Sequence, residues 1–207
     1  MRLPLRLAFA AVALCSTVAV ASETASGREL SGTLTGSYYA VPDQPNFGMA
    51  VGAVKIGALH VEGRYNYEAR ASASAFLGWT FSGGEDLAWS VTPLIGAVTG
   101  RLSGYIPGFE ASVAYKTVDV YIEAEYVFDR HDADDNYAYA WSELGWKPVE
   151  WLRLGIVGQR TRVVANDRDL QRGLLLQVFA GPATLSAYAF NPGDASRYTI
   201  LALALSF

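Results

Sequence analysis

The sequence predicts an all-β protein, a single antiparallel up-and-down β-barrel that spans a membrane with about twelve strands, ten being the alternative count. Three observations lead there. From Leu30 to the last residue, segments of about ten residues alternate apolar with polar side chains and are separated by brief breaks. Hydrophobic residues make up 51% of the chain, yet beyond the N-terminal stretch no apolar run approaches the roughly 20 residues of a spanning helix. Charged residues make up 17%, against about 25% in soluble domains. Apolar side chains spread by alternation suit a barrel in which every second residue meets hydrocarbon.

Residues 1–21 read as an export signal peptide. Arg2 and Arg6 give a short positive start, and Leu7 to Ala21 is apolar but for Cys15, Ser16 and Thr17. Ala19-Val20-Ala21 then has the small-x-small form of a cleavage site before Ser22. Cys15 does not suit lipidation, because the large Leu14 precedes it where a small residue is usual. Cys15 is the sole cysteine, so the cleaved chain would hold none, which excludes disulfides, thiolate catalysis and cysteine-bound metals. Removing Arg2 and Arg6 takes two positive charges from a formal net charge of -4, leaving -6. An acidic chain with three lysines does not bind nucleic acid, since phosphate neutralisation needs a basic surface.

Residues 22–29 are a polar lead-in and 30–207 form the barrel. The expected strands are 30–40, 47–55, 58–68, 71–81, 87–98, 105–116, 118–128, 137–146, 151–163, 171–180, 183–190 and 197–207. About 15 residues are available per strand and connection, just enough for spanning strands of ~9–11 residues. The breaks alternate in kind. Tight ones fall at Ile56-Gly57, Gly83 to Asp86, Thr117, Lys147 to Glu150 and Gly181-Pro182. Longer or more polar ones fall at Val41 to Asn46, Ala69-Arg70, Thr99 to Gly104, Asp129 to Asn136, Val164 to Leu170 and Asn191 to Ser196. Short turns at one rim and longer loops at the other put both termini on the short-turn side.

Alternation also assigns faces. In strand 58–68, Leu59, Val61, Gly63, Tyr65 and Tyr67 oppose His60, Glu62, Arg64, Asn66 and Glu68. In strand 118–128 an apolar row opposes Asp119, Tyr121, Glu123 and Glu125. An Arg or Lys on the lipid face near the midplane costs roughly 2–4 kcal/mol, and several charges together could not be carried there, so these charged rows face the lumen. Ser72, Ser74, Thr80, Ser90, Thr92, Glu110, Ser112, Lys116, Arg153, Gln159 and Thr161 share the inward parity. Two aromatic belts are expected: Trp79, Phe81, Trp89, Tyr115, Trp146, Trp151 and Phe207 near the tight turns, and Tyr38, Tyr65, Tyr67, Tyr105, Phe128 and Tyr198 near the longer loops.

In the last segment Leu201, Leu203 and Leu205 alternate with Ala202, Ala204 and Ser206, and the chain ends on Phe207. This resembles the closing strand of bacterial outer-membrane β-barrel proteins, in which the final aromatic strand is the sorting signal for the assembly machinery. The resemblance implies a monomer in the outer membrane, its signal peptide removed near Ala21 and its short turns periplasmic. The implied partners are outer-membrane lipid, lipopolysaccharide and the barrel-assembly machinery, the last reached through the strand ending at Phe207. No characterised subfamily is matched.

The candidate lumen-lining and selectivity residues are His60, Glu62, Arg64, Glu68, Asp119, Glu123, Glu125, Glu143 and Arg153. His60, Glu62 and Arg64 on one inward row form a charged constriction, a ligand contact, a general-base pair or a stripe of neutralising salt bridges, with Glu123 and Glu125, or Glu143 and Arg153, as partners. Pairing between strands 58–68 and 118–128 would have to cross the lumen. Arg160 and Arg162 point outward near the outer rim, where lipopolysaccharide phosphates would meet them. One group of outer-membrane phospholipases also has twelve strands, but it uses a Ser, a His and an amide on the outward face. Here His60 faces in, His131 sits in an acidic loop, and the His-x-Ser pattern of lipid A deacylases is absent. No catalytic residue and no enzymatic activity are expected. The loop Asp129 to Asn136 offers oxygen ligands but lacks the turn glycine and distal Glu of an EF-hand; no metal centre and no cofactor are expected.

The leading expectation is a small passive channel for ions or small polar solutes with weak cation preference. The alternative is a structural or surface-interaction barrel plugged by its own side chains, and a lipid-acting enzyme stands third. Inward Tyr39, Phe76, Leu94, Tyr121, Tyr139 and Trp141 favour plugging; inward Ala50, Gly52, Gly78, Ala88 and Gly96 favour space.

Overall fold

The computed structural model describes residues 30–163 and 168–207. The expected signal peptide at 1–21, the lead-in at 22–29 and part of the loop at 164–170 lie outside the described residues. Twelve antiparallel strands form one closed barrel. They are β1 (Leu30–Ala40), β2 (Phe47–Ile56), β3 (Leu59–Tyr65), β4 (Ser72–Trp79, resumed at Phe81–Gly83), β5 (Leu87–Gly100), β6 (Gly104–Tyr115), β7 (Val118–Asp129), β8 (Tyr137–Val149), β9 (Leu152–Val163), β10 (Arg168–Ala180), β11 (Ala183–Phe190) and β12 (Tyr198–Ser206). Each strand pairs with its neighbours in sequence, and β1 closes the ring against β12 with Gly36 opposite Leu203. Closure gives the backbone groups of both end strands partners, as hydrocarbon demands.

The seam is finished by the last residue. Phe207 donates its N–H to the Gly32 carbonyl (2.9 Å) and accepts from the Gly32 N–H (2.8 Å). Its ring lies against the position that a Cβ on residue 32 would occupy, so a side chain there would have to displace the ring.

The outer face is apolar, and residues directly opposite in adjacent strands share it. Ile156 and Leu174 oppose one another near the middle of the wall and are 57% and 58% exposed, a surface suited to lipid. Trp79, Phe81, Trp89, Tyr115, Trp146, Trp151 and Phe207 are exposed at the inner rim as expected, and Tyr38, Tyr65 and Tyr105 at the outer rim. Tyr105 stacks on Phe128 at 4.6 Å.

Several expectations change. β3 ends at Tyr65 rather than 68, because Asn66 and Ala71 take positive φ (60° and 57°). The Asn66 side chain accepts the Ala71 N–H at 2.7 Å and holds the turn. Strand parity therefore lapses: Tyr67 is buried in the lumen instead of meeting lipid, and Glu68 enters it from the loop. In β2 the inward residues are Met49, Val51 and Ala53, so Ala50 and Gly52 belong to the outer face. The register, with Met49 opposite inward Ser37, sets that sign. Lys116 is exposed in a turn at φ 53° rather than inward. Tyr198 turns into the barrel, where its hydroxyl donates to Gln159 (2.8 Å). β8 runs through Pro148 to Val149, and the turn falls at 150–151. The register slips between Leu152 and Leu154 beside that proline, which has no N–H for a regular ladder.

Candidate functional site

The candidate site is the lumen. Alternation in β3, β7, β8 and β9 carries His60, Glu62, Arg64, Glu123, Glu125, Glu143 and Arg153 inward, and Glu68 joins them from the β3–β4 loop. All eight are 6% exposed or less. Asp119, nearer the inner rim, is partly exposed.

Two arginines organise these carboxylates. Arg64 Nε donates to Glu62, and its Nη1 lies 2.6 Å from Glu125, 3.2 Å from Glu123 and 3.5 Å from Glu68. Three strands separate β3 from β7 along the wall, so the contacts to Glu123 and Glu125 cross the lumen. The guanidinium also lies 4.1 Å from the ring centres of both Tyr67 and Phe76, a further source of attraction for a desolvated cation. Arg153 sits lower, donating to Asp119 (3.0 Å), Glu143 (2.6 Å) and Gln177 (2.8 Å). Gly145 makes room for it: a Cβ there would come within 2.1 Å of Arg153 Nε.

A buried charge needs a partner and hydrogen bonds. Most of these groups have both. Tyr67 donates to Glu123 (2.5 Å), Trp141 Nε1 and the Tyr188 hydroxyl donate to Glu143 (3.1 Å each), and Ser74 donates to Glu68 (2.8 Å). Tyr67 and Tyr188 are contributors that sequence reading missed. Acidic groups nevertheless outnumber basic ones. Among the described residues, six buried glutamates, Glu110 being the sixth, face two buried arginines and His60.

The lumen is filled unevenly. Tyr39, Phe76, Leu94, Tyr121, Tyr139 and Trp141 are 5% exposed or less. Two of the small inward residues leave no gap. Phe76 lies 2.3 Å from where a Gly96 Cβ would be, and Leu94 lies 2.5 Å from that of Gly78. Below this plug the inner end is wetter: Lys55, Thr80, Ala88, Ser90 and Ser112 are partly exposed. There the hydroxyls of Thr80 and Thr92 pair at 2.9 Å and those of Ser90 and Ser112 at 2.8 Å.

The remaining candidates lie apart. Arg160 and Arg162 are exposed on the outer face, towards the outer end of β9. His131 is in the outer loop, its side chain 78% exposed and 3.7 Å from Asp129. The acidic loop uses its carboxylates on its own backbone. Asp129 accepts from the His131 and Asp132 N–H groups (2.6 and 3.1 Å), and Asp132 accepts from Asp134 (2.9 Å) to cap a short helix at Ala133–Asp135.

A closed, antiparallel, twelve-stranded barrel with an apolar exterior and aromatic belts has the fold of bacterial outer-membrane β-barrel proteins. Among solved structures, the KdgM porin superposes with a TM-score of 0.64 at 9% identity, covering 84% of this chain and 99% of its own. A KdgM porin in complex with disordered oligogalacturonate gives 0.64 at 7% identity, over 84% and 98%. OccK5 of Pseudomonas aeruginosa aligns more weakly, at 0.46 and 7% identity over 83% of this chain and 62% of its own. No family model matches the sequence, and no curated protein does. At these identities the likeness is one of fold: the protein is built as a porin-like barrel.

Proposed function

We propose that this protein is a narrow outer-membrane channel that passes small cations in preference to anions. The observation that carries the reading is the charge of the lumen, six buried glutamates against two buried arginines. Carboxylates in a low-dielectric wall attract cations and repel anions far more strongly than they would in bulk water. The same excess argues against a polyanionic substrate such as the oligogalacturonate bound by one KdgM porin, so the fold likeness is not extended to that ligand.

The aromatic plug favours a second reading, a barrel closed by its own side chains that serves a structural or surface role. Planar-bilayer recording of the refolded protein separates the two. Small, discrete, cation-selective steps that fall in Glu123→Gln and Glu125→Gln variants support the channel. Anion-selective reversal potentials, or silence from protein shown to be folded, overturn it, and silence selects the plugged barrel.

The proposal includes removal of a signal peptide near Ala21 and action as a monomer. It also includes delivery by the barrel-assembly machinery through the strand ending at Phe207. Arg160 and Arg162, exposed towards the outer rim, would hold lipopolysaccharide phosphates. No catalytic step is proposed. The His60 imidazole bonds Glu62 at 3.1 Å, and the Ser74 and Ser186 hydroxyls engage Glu68 and Gln177.

A further inference from the structure

At the base of the plug lies a group that the charge network leaves unfinished. His60 on β3, Glu62 two residues on, and Glu110 on β6 bring one ligand atom each within 4.8 Å of one another, and all three side chains are buried. His60 Nδ1 and Glu110 Oε1 are buried without a hydrogen-bond partner among the described residues. An orphaned imidazole nitrogen and an orphaned carboxylate oxygen are expensive to bury; His60 turns its Nε2 to Glu62 Oε2 at 3.1 Å, and Glu110 brings a carboxylate oxygen to the same cluster. Two formal cations are near. Arg64 is committed to four glutamates, and Lys55, opposite His60 in the β2–β3 register, is half-buried.

We propose that His60, Glu62 and Glu110 form a binding site for a divalent transition-metal ion, with Zn2+ as the fitting probe. One imidazole nitrogen with two carboxylate oxygens is a mixed donor set that suits zinc or its first-row neighbours better than calcium or magnesium, which take oxygen alone. Zinc holds such ligands at ~2.0–2.2 Å, which places ligand atoms roughly 3–3.5 Å apart; modest side-chain rotation closes the cluster to that size. The ion enters from the inner mouth. Glu110 is opposite Thr92 and one layer beyond the Ser90–Ser112 pair, so the partly exposed hydroxyl layer lies between the cluster and the inner rim. Water from that side completes the coordination. The inference does not depend on whether the lumen conducts.

Titration of folded, detergent-solubilised protein with Zn2+ by calorimetry tests it. The expected result is one saturable site per barrel that excess Ca2+ or Mg2+ does not displace. Affinity is expected to fall at least tenfold in Glu110→Gln and in His60→Ala, with His131→Ala unchanged. Heat-modifiable gel mobility confirms that each variant is folded. X-ray absorption of the wild-type zinc complex needs no variant, and it should show nitrogen and oxygen ligands including one imidazole. Absence of saturable binding overturns the proposal. So does binding that survives in the His60→Ala, Glu110→Gln double variant, that disappears in His131→Ala, or that Ca2+ displaces at equal concentration.

Discussion

Replacing Arg64 by methionine keeps most of the side-chain stem and removes the charge that four glutamates share. The Arg64 side chain is 1% exposed, and those of Glu62, Glu68, Glu123 and Glu125 are 0–2% exposed. Deleting one partner of a buried pair leaves the other charge without compensation, a loss of about 3–5 kcal/mol. At roughly 1.4 kcal/mol per decade, the unfolding constant should rise between about a hundredfold and a few thousandfold. The assay is reversible urea unfolding of the barrel in lipid vesicles, followed by the fluorescence of its five tryptophans. Adding Glu123→Gln and Glu125→Gln should recover much of the loss, because the penalty lies in the stranded carboxylates. A loss below about 1 kcal/mol, the level of exposed ion pairs, would refute the reasoning. It would mean that Glu123 and Glu125 become solvated or neutral once Arg64 is removed, so that no uncompensated charge stays buried.

Four further outcomes are expected. Ile156→Arg, on the lipid face near the middle of β9, should destabilise the barrel by roughly 2–4 kcal/mol in the same assay. Arg160 and Arg162, nearer the rim of the same strand, are carried by the native chain. Gly96→Ala places a methyl within 2.3 Å of the Phe76 ring; it should cost about 1–3 kcal/mol by overpacking, relieved when Phe76→Leu is added. Gly32→Val should slow closure in vesicle-folding kinetics, since its side chain would occupy the space of the Phe207 ring, whereas the same change at Gly36, which meets nothing nearby, should not. In the outer loop, the Asp194 carboxyl accepts the Ser196 N–H and hydroxyl (2.9 and 3.2 Å), which hold it below the usual aspartate range. Because the folded value is the lower one, the loop contact is present above the ordinary aspartate pKa and is lost as pH falls through the depressed value. NMR titration should show the shift and its reduction in Ser196→Ala.

The architecture was legible because the membrane imposes a binary pattern. Strands such as β3 and β7 alternate charge with hydrocarbon, so both their existence and their inward face could be read directly. β2 has the strand period but not the sign. Phe47 to Ile56 carries only Lys55 as a charge, and either parity satisfies hydropathy. Its face is decided by hydrogen-bond register with β1, which no local pattern encodes. Tyr67 was misplaced for a related reason. Extending a period of two past Tyr65 ignores the left-handed turn at Asn66, and asparagine is one of the few residues for which such a turn is ordinary.

The site was legible as a list and not as a geometry. That Arg64 meets Glu125 depends on the bore of the ring and on side-chain length, quantities set by the whole strand count rather than by either segment. Small inward residues misled in the same way. Gly78 and Gly96 read as empty space along their own strands, yet the neighbouring strand supplies Leu94 and Phe76 to fill it.

The filling gives the lumen a direction. Its hydroxyl-lined inner end is partly wet, while Tyr39, Tyr139 and Trp141 above are dry. In the β7–β8 register Glu123 stands opposite Trp141 and Glu125 opposite Tyr139, so attractive charge and obstruction share one level but sit on different side chains. Occlusion and cation preference are then separable properties carried by different residues. Trimming the aromatic plug should raise conductance without changing its sign, and neutralising Glu123 and Glu125 should change selectivity without opening the bore. The Tyr139→Ala variant compared with the double glutamine variant in the same bilayer decides this. An opened variant that prefers anions would show that the buried glutamates are already neutralised within the wall and do not govern what passes.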